Sequence, residues 1–456
     1  MKLNLTATGL FVALLSGSFA MAQIKPVPPA KRPNVILIYT DDQGSLDLNI
    51  YGAKDLYTPN IDALAKRGVR FTQFYAAAPV CSPSRASLLT GRFPQRAELA
   101  TNASSDRGGK VEMPSSQVTM AEMFKSAGYT TGHIGKWHVG YSPATMPNQQ
   151  GFDYSFGHMG GCIDNYSHYF YWAGPNRHDL WRNGTEIWED GKFFPDLMVD
   201  ETTRFLEQNK AKPFYLYLAF NIPHYPLQGQ EKWRQYYKNL PTPRKEYAAL
   251  ISTLDQKVGA VLQAVKKFGL EENTIVIFQS DHGHSEEERT FGGGGYAGPY
   301  RGSKFSLLEG GIRVPAMISW PGHLPKNEVR NQLAVNIDWF PTLAELCNVP
   351  LPARKIDGKS LVGVIGSLKM ASPHDSFIWQ SGGGENPQWA VRQGDWKLLN
   401  NPLGNKLQDS LSQSKLYLFN LNTDVQEMKN ELKQHPEIVR SLTAKYKEWL
   451  AEVQQQ

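Results

Sequence analysis

The sequence predicts an α/β protein: a large mixed, mostly parallel sheet sandwiched by helices, plus a smaller C-terminal α+β subdomain with a short antiparallel sheet and a terminal helix. Three observations lead there. Short, continuously apolar runs alternate with amphipathic stretches over most of the chain, the pattern of strands buried on both faces between helices. From about Pro373 the alternation gives way to closely spaced short strands and one last amphipathic stretch. The chain has 456 residues, 41% hydrophobic and 20% charged, which is enough for a large core and unlike a disordered sequence.

The elements follow in order. Lys2, the apolar run at 10–15 (LFVALL) and the small residues Ala20-Met21-Ala22 read as a cleavable signal peptide over 1–22, too short to span a bilayer. No cysteine lies near the cut, which argues against a lipid anchor, so the mature chain is expected in the periplasm or secreted. The main domain is expected over 23–372. Its strand-like runs are 34–39 (NVILIY), 214–220 (FYLYLAF), 274–278 (TIVIF) and 314–320 (VPAMISW). Helical patterns lie at 118–126 (VTMAEMFKS), before Gly128, and at 246–268, before Gly269. The subdomain, 373–456, contributes strands at 389–391, 396–399 and 415–419 and a helix over 437–452. There is no internal repeat, and the only low-complexity tracts are glycines at 292–295 and 382–384.

Composition narrows the function. Lys and Arg number 48 against 43 Asp and Glu, a net charge of +5. The basic residues are interspersed with acids, so nucleic acid is not the expected partner. Apolar runs beyond the leader are strand-length, and no membrane span is expected. Three cysteines, Cys81, Cys162 and Cys347, are too few for a disulfide scaffold and leave one over. One answer is that one of them does not remain a cysteine; whether Cys162 and Cys347 pair is open.

Two strands end in carboxylates. The first runs into Asp41-Asp42-Gln43-Gly44 and a later one into Asp281-His282-Gly283-His284. Carboxyl ends of strands are where open α/β sheets bind ligands. Adjacent carboxylates repel unless a cation or donors compensate. Either these are polar turns, or both converge on one cation, for which oxygen-rich ligands favour calcium or magnesium over zinc. A third segment runs Cys81-Ser82-Pro83-Ser84-Arg85-Ala86-Ser87-Leu88-Leu89-Thr90-Gly91. Pro83 suits a first helical turn and Gly91 an end, placing Cys81 at a helix N-terminus with Arg85 one turn on. This is either a buried structural cysteine beside a cap or a nucleophile and anion site.

The CSPSR-ASLLTG segment resembles the maturation signature of the type I sulfatases, Cys-x-Pro-Ser-Arg-x-x-x-Leu-Thr-Gly, a family on the alkaline-phosphatase-like fold that includes secreted bacterial carbohydrate sulfatases. Gly135-Lys136-Trp137-His138, Pro223-His224, Gly302-Ser303-Lys304, Gly310-Gly311-Ile312-Arg313-Val314-Pro315 and Leu416-Tyr417-Leu418-Phe419-Asn420 with Asn430 also follow the family's order. The match spans nearly the whole mature chain.

The resemblance implies a sulfuric ester hydrolase. Cys81 would be oxidised to formylglycine (3-oxoalanine) by a formylglycine-generating maturation enzyme, which also accounts for the odd thiol. Asp41, Asp42, Asp281 and His282, with modified Cys81, would hold one Ca2+; the family often has Asn where His282 stands. The hydrated aldehyde would attack sulfur through a covalent sulfo-enzyme. Lys136 and Lys304 would neutralise the sulfate, His224 would protonate the leaving alcohol, His138 would assist collapse of the hydrate and Arg85 would orient position 81.

The substrate is approached through residues 151–182, which carry His158, Tyr166, His168, Tyr169, Phe170, Tyr171, Trp172, Arg177, His178, Trp181 and Arg182. Such residues suit sugar rings and their anionic groups, or else pack a surface loop onto the domain. With the resemblance, the expected partner is a sulfated glycan. A phosphoester hydrolase on the same fold and a catalytically silent glycan-binding relative are the alternatives; the first typically uses Thr or Ser with two zinc ions.

Overall fold

The computed structural model describes residues 32–172, 174–383, 386–403 and 415–455; the expected leader lies outside them. From edge to edge the large sheet runs Glu328–Arg330, Val69–Phe71, Ala316–Ser319, Thr274–Ser280, Asn34–Asp41, Phe214–Pro223, Thr130–Lys136, Tyr154–His158, Trp181–Arg182 and Thr185–Glu186. The middle of the sheet is parallel, from Thr274–Ser280 to Tyr154–His158, and antiparallel pairs flank it. Every residue of Asn34–Asp41, Phe214–Pro223 and Thr274–Ser280 is buried, which is why their sequences are apolar without alternation.

Successive side chains of these strands enter opposite cores. Val35, Leu37 and Tyr39 pack with Leu88, Leu89, Met120, Phe124, Trp339 and Phe340 on one face. Ile36 and Ile38 pack with Phe205, Leu206, Leu250, Leu254 and Val258 on the other. Helices Cys81–Thr90, Met120–Ser126 and Trp339–Leu346 thus cover one side, and Phe194–Asn209 and Arg244–Lys267 the other. Thr119 starts its helix with a reciprocal cap, accepting from the Glu122 N–H at 3.2 Å while its own N–H donates to Glu122 Oε2 at 2.7 Å.

The C-terminal sheet is antiparallel, in the order Ser376–Ser381, Gln388–Gln393, Trp396–Asn400, Leu416–Asn420. Its Phe377, Trp379, Leu399, Tyr417 and Phe419 face the main domain through Tyr75, Leu308, Ile312 and Ile337. Ile378, Val391, Leu398 and Leu418 face the terminal helix Pro436–Gln454 through Leu442, Trp449 and Val453.

Several bounds differ from expectation. The strand expected over 314–320 is only Ala316–Ser319, because Pro315 has no N–H for the ladder. The long helix starts at Arg244, directly after Pro243. Ser376–Ser381 is a strand the sequence pattern did not reveal; it begins with Ser and ends in Gln-Ser, and only its centre is apolar.

Candidate active site

The two carboxylate-ended strands are neighbours, paired in parallel from Asn34↔Thr274 to Thr40↔Ser280. Their ends therefore meet. The Asp281 N–H donates to Thr40 O at 3.0 Å, and the Asp42 N–H donates to Asp281 Oδ1 at 3.2 Å. Asp42 has φ 62°, a left-handed conformation that Asp tolerates better than most residues and that turns the chain sharply off the strand. Gly283 is required by close approach: a Cβ there would stand 1.9 Å from Gly310 O.

Cys81 is the first residue of the Cys81–Thr90 helix, which is buried throughout and ends at left-handed Gly91. Its Sγ lies 3.3 Å from His282 Nε2 and 3.7 Å from Asp41 Oδ1. Ligand atoms of Asp41, Cys81, Asp281 and His282 all fall within 4.8 Å of one another, as do those of Asp41, Asp42, Cys81 and His224.

Cations close the cluster. Arg85 Nη2 is 2.9 Å from Asp281 Oδ2 and 3.4 Å from Asp41 Oδ1. Lys136 Nζ is 2.6 Å from Asp41 Oδ2, and Lys304 Nζ is 3.0 Å from Asp42 Oδ1. His224 Nε2 is 3.6 Å from Asp42 Oδ2, and its Nδ1 is held at 2.8 Å by Tyr225 O. His138, at φ 54°, packs its ring beside Gly161, and its buried Nδ1 has no hydrogen-bond partner.

Burial and these charges set the protonation states. Burial opposes ionisation of Asp41, but Lys136 foremost, with Arg85 and Lys304, overcomes it and holds Asp41 well below the usual carboxylate range. Burial pushes Asp42 up to about 7 against the pull of Lys304 and His282. Burial also pushes Asp281 up to about 6. The Cys81 thiol, despite burial, is drawn down to about 6 by Lys136 and Lys304. Burial and Lys304 keep His224 neutral, whereas Lys304 stays an ammonium because Asp42, Cys81, Glu287 and Asp41 together outweigh its desolvation. Three carboxylates, one imidazole and position 81 around one point make an oxygen-dominated donor set that fits a hard dication.

All predicted site residues thus lie at or beside one cluster. The sequence reading missed its supports. The Tyr39 ring lies 5.4 Å from the Arg85 guanidinium, and the Tyr217 hydroxyl is 3.4 Å from Arg85 Nη1. Ser84 Oγ donates to Asp281 O at 2.6 Å, and Glu287 Oε2 stands 3.5 Å from Lys304 Nζ. A hydroxyl-bearing ring in an otherwise aliphatic buried stretch was the available signal for Tyr39; Tyr217, in a strand that also carries Phe214, Tyr215 and Phe220, offered none. Cys162 and Cys347 are both free and buried, so the leftover-thiol argument has no disulfide to rest on. Among the described residues no helix is long and apolar enough to cross a membrane.

The aromatic segment borders this cluster. Trp172 meets Tyr225, next to His224, edge-on at 5.3 Å, and Cys162 and Phe170 complete the contact. Tyr166 and Tyr171 remain exposed, as does Trp188, which the sequence reading did not single out.

Comparison with known proteins shows the family. The Sulfatase family model matches residues 33–349, and the model for the N-sulphoglucosamine sulphohydrolase C-terminal region matches 303–456. The chain is 34% identical to human arylsulfatase A over 409 residues, covering 83% of this chain and 77% of that one. It is 30% identical to an N-acetylgalactosamine-6-O-sulfatase of Bacteroides thetaiotaomicron over 511 residues, covering 95% and 96%. The crystal structure of Ps i-CgsB in complex with k-i-k-neocarrahexaose superposes with a TM-score of 0.81 at 29% identity, covering 92% of this chain and 93% of that one. With a family match over most of its length and relatives matched nearly end to end, the chain belongs to the sulfatase family and is a sulfuric ester hydrolase.

Proposed function

We propose that the chain removes sulfate from a sulfated polysaccharide or oligosaccharide, in the periplasm or outside the cell. The observation that carries this reading is the convergence of Asp41, Asp42, Asp281, His282 and Cys81 on one buried point, ringed by Arg85, Lys136 and Lys304. The exposed aromatics of the bordering segment suit sugar rings, and a relative named N-acetylgalactosamine-6-O-sulfatase and a similar structure in complex with k-i-k-neocarrahexaose support a glycan. The expected leader over 1–22 supports export. The four-stranded sheet starting at Ser376 supports a domain boundary near 372/373.

When bound, Ca2+ on Asp41, Asp42, Asp281 and His282, with formylglycine at position 81, would supply a Lewis acid for the sulfate oxygens and an acidified hydroxyl for attack on sulfur. The chain's own residues do the rest. Lys136 and Lys304, both protonated, neutralise sulfate oxygens as charge develops. Arg85 fixes position 81 by clamping the carboxylates on either side of it. Tyr225 O accepts the His224 Nδ1 proton, so Nε2 faces Asp42 with a lone pair. His224 therefore donates to the leaving alcohol only after the negative charge of a bound sulfate has raised its basicity enough for it to take a proton from solvent, whereas Lys304 carries one at rest. His138, neutral through burial, serves as the base for the hydrate. Since the whole Cys81 helix is buried, the formylglycine-generating enzyme must reach it before the chain folds.

The test is ion release from a panel of sulfated polysaccharides and oligosaccharides by protein co-expressed with a formylglycine-generating enzyme. Sulfate and phosphate are followed together, with Cys81→Ala as blank and the mass of the Cys81 peptide as proof of conversion. Sulfate from a glycan, absent from the blank, is the expected result. Fully converted protein that frees only phosphate, or frees sulfate from aryl esters alone, overturns the reading.

A further inference from the structure

Two imidazoles of the aromatic segment meet away from the carboxylate cluster. The strands Tyr169–Phe170 and Arg177–His178 pair antiparallel, with Tyr169 opposite His178. That register brings His168, one residue earlier, beside His178, with ring centroids 6.2 Å apart and planes at 79°. Both rings are buried, His168 at 0% and His178 at 5% exposure.

Each ring is held from behind by a group that has no proton to give. Lys192 O lies 3.1 Å from His168 Nε2, and Glu186 Oε1 lies 3.1 Å from His178 Nδ1. Each contact needs the proton on that nitrogen, so the neutral rings carry their lone pairs on His168 Nδ1 and His178 Nε2. Those same two nitrogens are buried with no hydrogen-bond partner. Buried polar atoms in a folded chain are rarely left so. Burial and the facing His178 also keep His168 from taking up a second proton. A nitrogen of each ring and a carboxylate oxygen of Asp190, which is exposed, lie within 4.8 Å of one another.

We propose that His168, His178 and Asp190 form a second metal site, separate from the carboxylate cluster, that takes one Zn2+. Two imidazoles and one carboxylate are a donor set for zinc rather than for calcium, which prefers oxygen throughout. Glu186 behind His178 and the Lys192 carbonyl behind His168 are the acceptors that orient metal-bound histidines and raise their basicity. Packing alone accounts for two buried rings but not for two buried imidazole nitrogens left without partners in rings that lie close to each other and to a carboxylate. The ion would staple the hairpin to the 186–192 segment. It would also fix the exposed indole of Trp188, which stacks on His178 with ring centroids 3.8 Å apart and planes at 9°.

The test does not depend on catalysis. Full-length protein is stripped of metal, given millimolar Ca2+ to hold the carboxylate cluster, and titrated with Zn2+ against a chromophoric chelator. One Zn2+ per chain is expected for the parent and for Asp42→Asn. His178→Gln should lose it, and Glu186→Gln should bind about 10–100-fold more weakly. Asp190→Asn, a change at an exposed side chain, should bind at least about tenfold more weakly while melting like the parent in chelator. A parent that takes up no zinc under calcium, or Asp190→Asn and His178→Gln proteins that match the parent, overturns the proposal.

Discussion

Lys397→Met should destabilise the chain by about 3–5 kcal/mol near neutral pH, the usual cost of leaving buried charges without their partner. Lys397 Nζ sits 2.8 Å from Glu309 Oε1 and 2.9 Å from Glu427 Oε1, and all three side chains are at 0% exposure. Glu309 keeps other partners when the ammonium goes: Tyr75 OH donates to it at 2.6 Å and Arg313 Nη1 is 3.2 Å away. Among the described residues Glu427 keeps the Glu309 N–H, at 2.7 Å, and the more distant charge of Arg301. The cost therefore falls chiefly on Glu427, which burial already pushes up to about 7 against the pull of Lys397.

The pH dependence has a definite sign. A carboxyl raised in the folded state binds a proton that the unfolded chain has released, so it costs stability as pH rises from the ordinary Glu range toward 7. Without Lys397 that rise is larger and extends further, and the deficit of the variant should be greater at pH 8 than at pH 5. Urea titrations in Ca2+ at both pH values measure it. Lys397→Met/Glu427→Gln, which leaves Glu309 ionised against Arg313 and removes the carboxylate that lost its partner, should recover most of the loss. The reasoning fails if Lys397→Met matches the parent at pH 8, or if its deficit is larger at pH 5.

Three further outcomes are expected. Asp42 and Asp281, pushed up to about 7 and about 6 by burial, hold protons that calcium must displace, so the Ca2+-induced rise in melting temperature should be larger at pH 8 than at pH 5; equal shifts would remove these carboxylates from the metal site. Arg85→Lys keeps the charge but loses the planar guanidinium whose Nη2 meets both Asp281 and Asp41 while Nη1 is held by Lys136 O and Tyr217, and Ca2+ affinity read from such melts should fall about 10–100-fold; an unchanged affinity would make Arg85 a packing residue. His224→Gln should slow sulfate release from a sugar by about 10²–10⁴-fold, as for loss of a general acid, and from an aryl sulfate much less, because a phenolate leaves without a proton; equal losses on both substrates would end the proton-donor role.

What the sequence made legible follows from how locally each feature is encoded. The central strands could be read because burial on both faces leaves a continuous apolar run, and the carboxylates at 41–42 and 281 could be read because they terminate those runs. The Cys81 helix was legible from Pro83 and Gly91, which punctuate a helix without any tertiary partner. Edge elements were not. Trp181–Arg182 and Thr185–Glu186 are two-residue strands that exist only because Phe156 and Gly157 offer a ladder.

Features made by long-range convergence leave a fainter trace. Lys397 and Glu309 are 88 positions apart, and nothing in either neighbourhood names the other. A trace nevertheless remains in the strand itself. Leu399, two positions on from Lys397, packs toward the main domain, and strand periodicity turns Lys397 to that same buried face. A charge there demands a buried counter-charge, although the sequence does not say which one. The same logic applies to the site. Lys136, at the end of a strand buried over nearly all its length, and Arg85, inside a fully buried helix, needed partners as soon as those elements were drawn. The carboxylates at the ends of neighbouring strands were within reach of both. Burial of charge thus specifies that a partner exists, and topology decides which one it is.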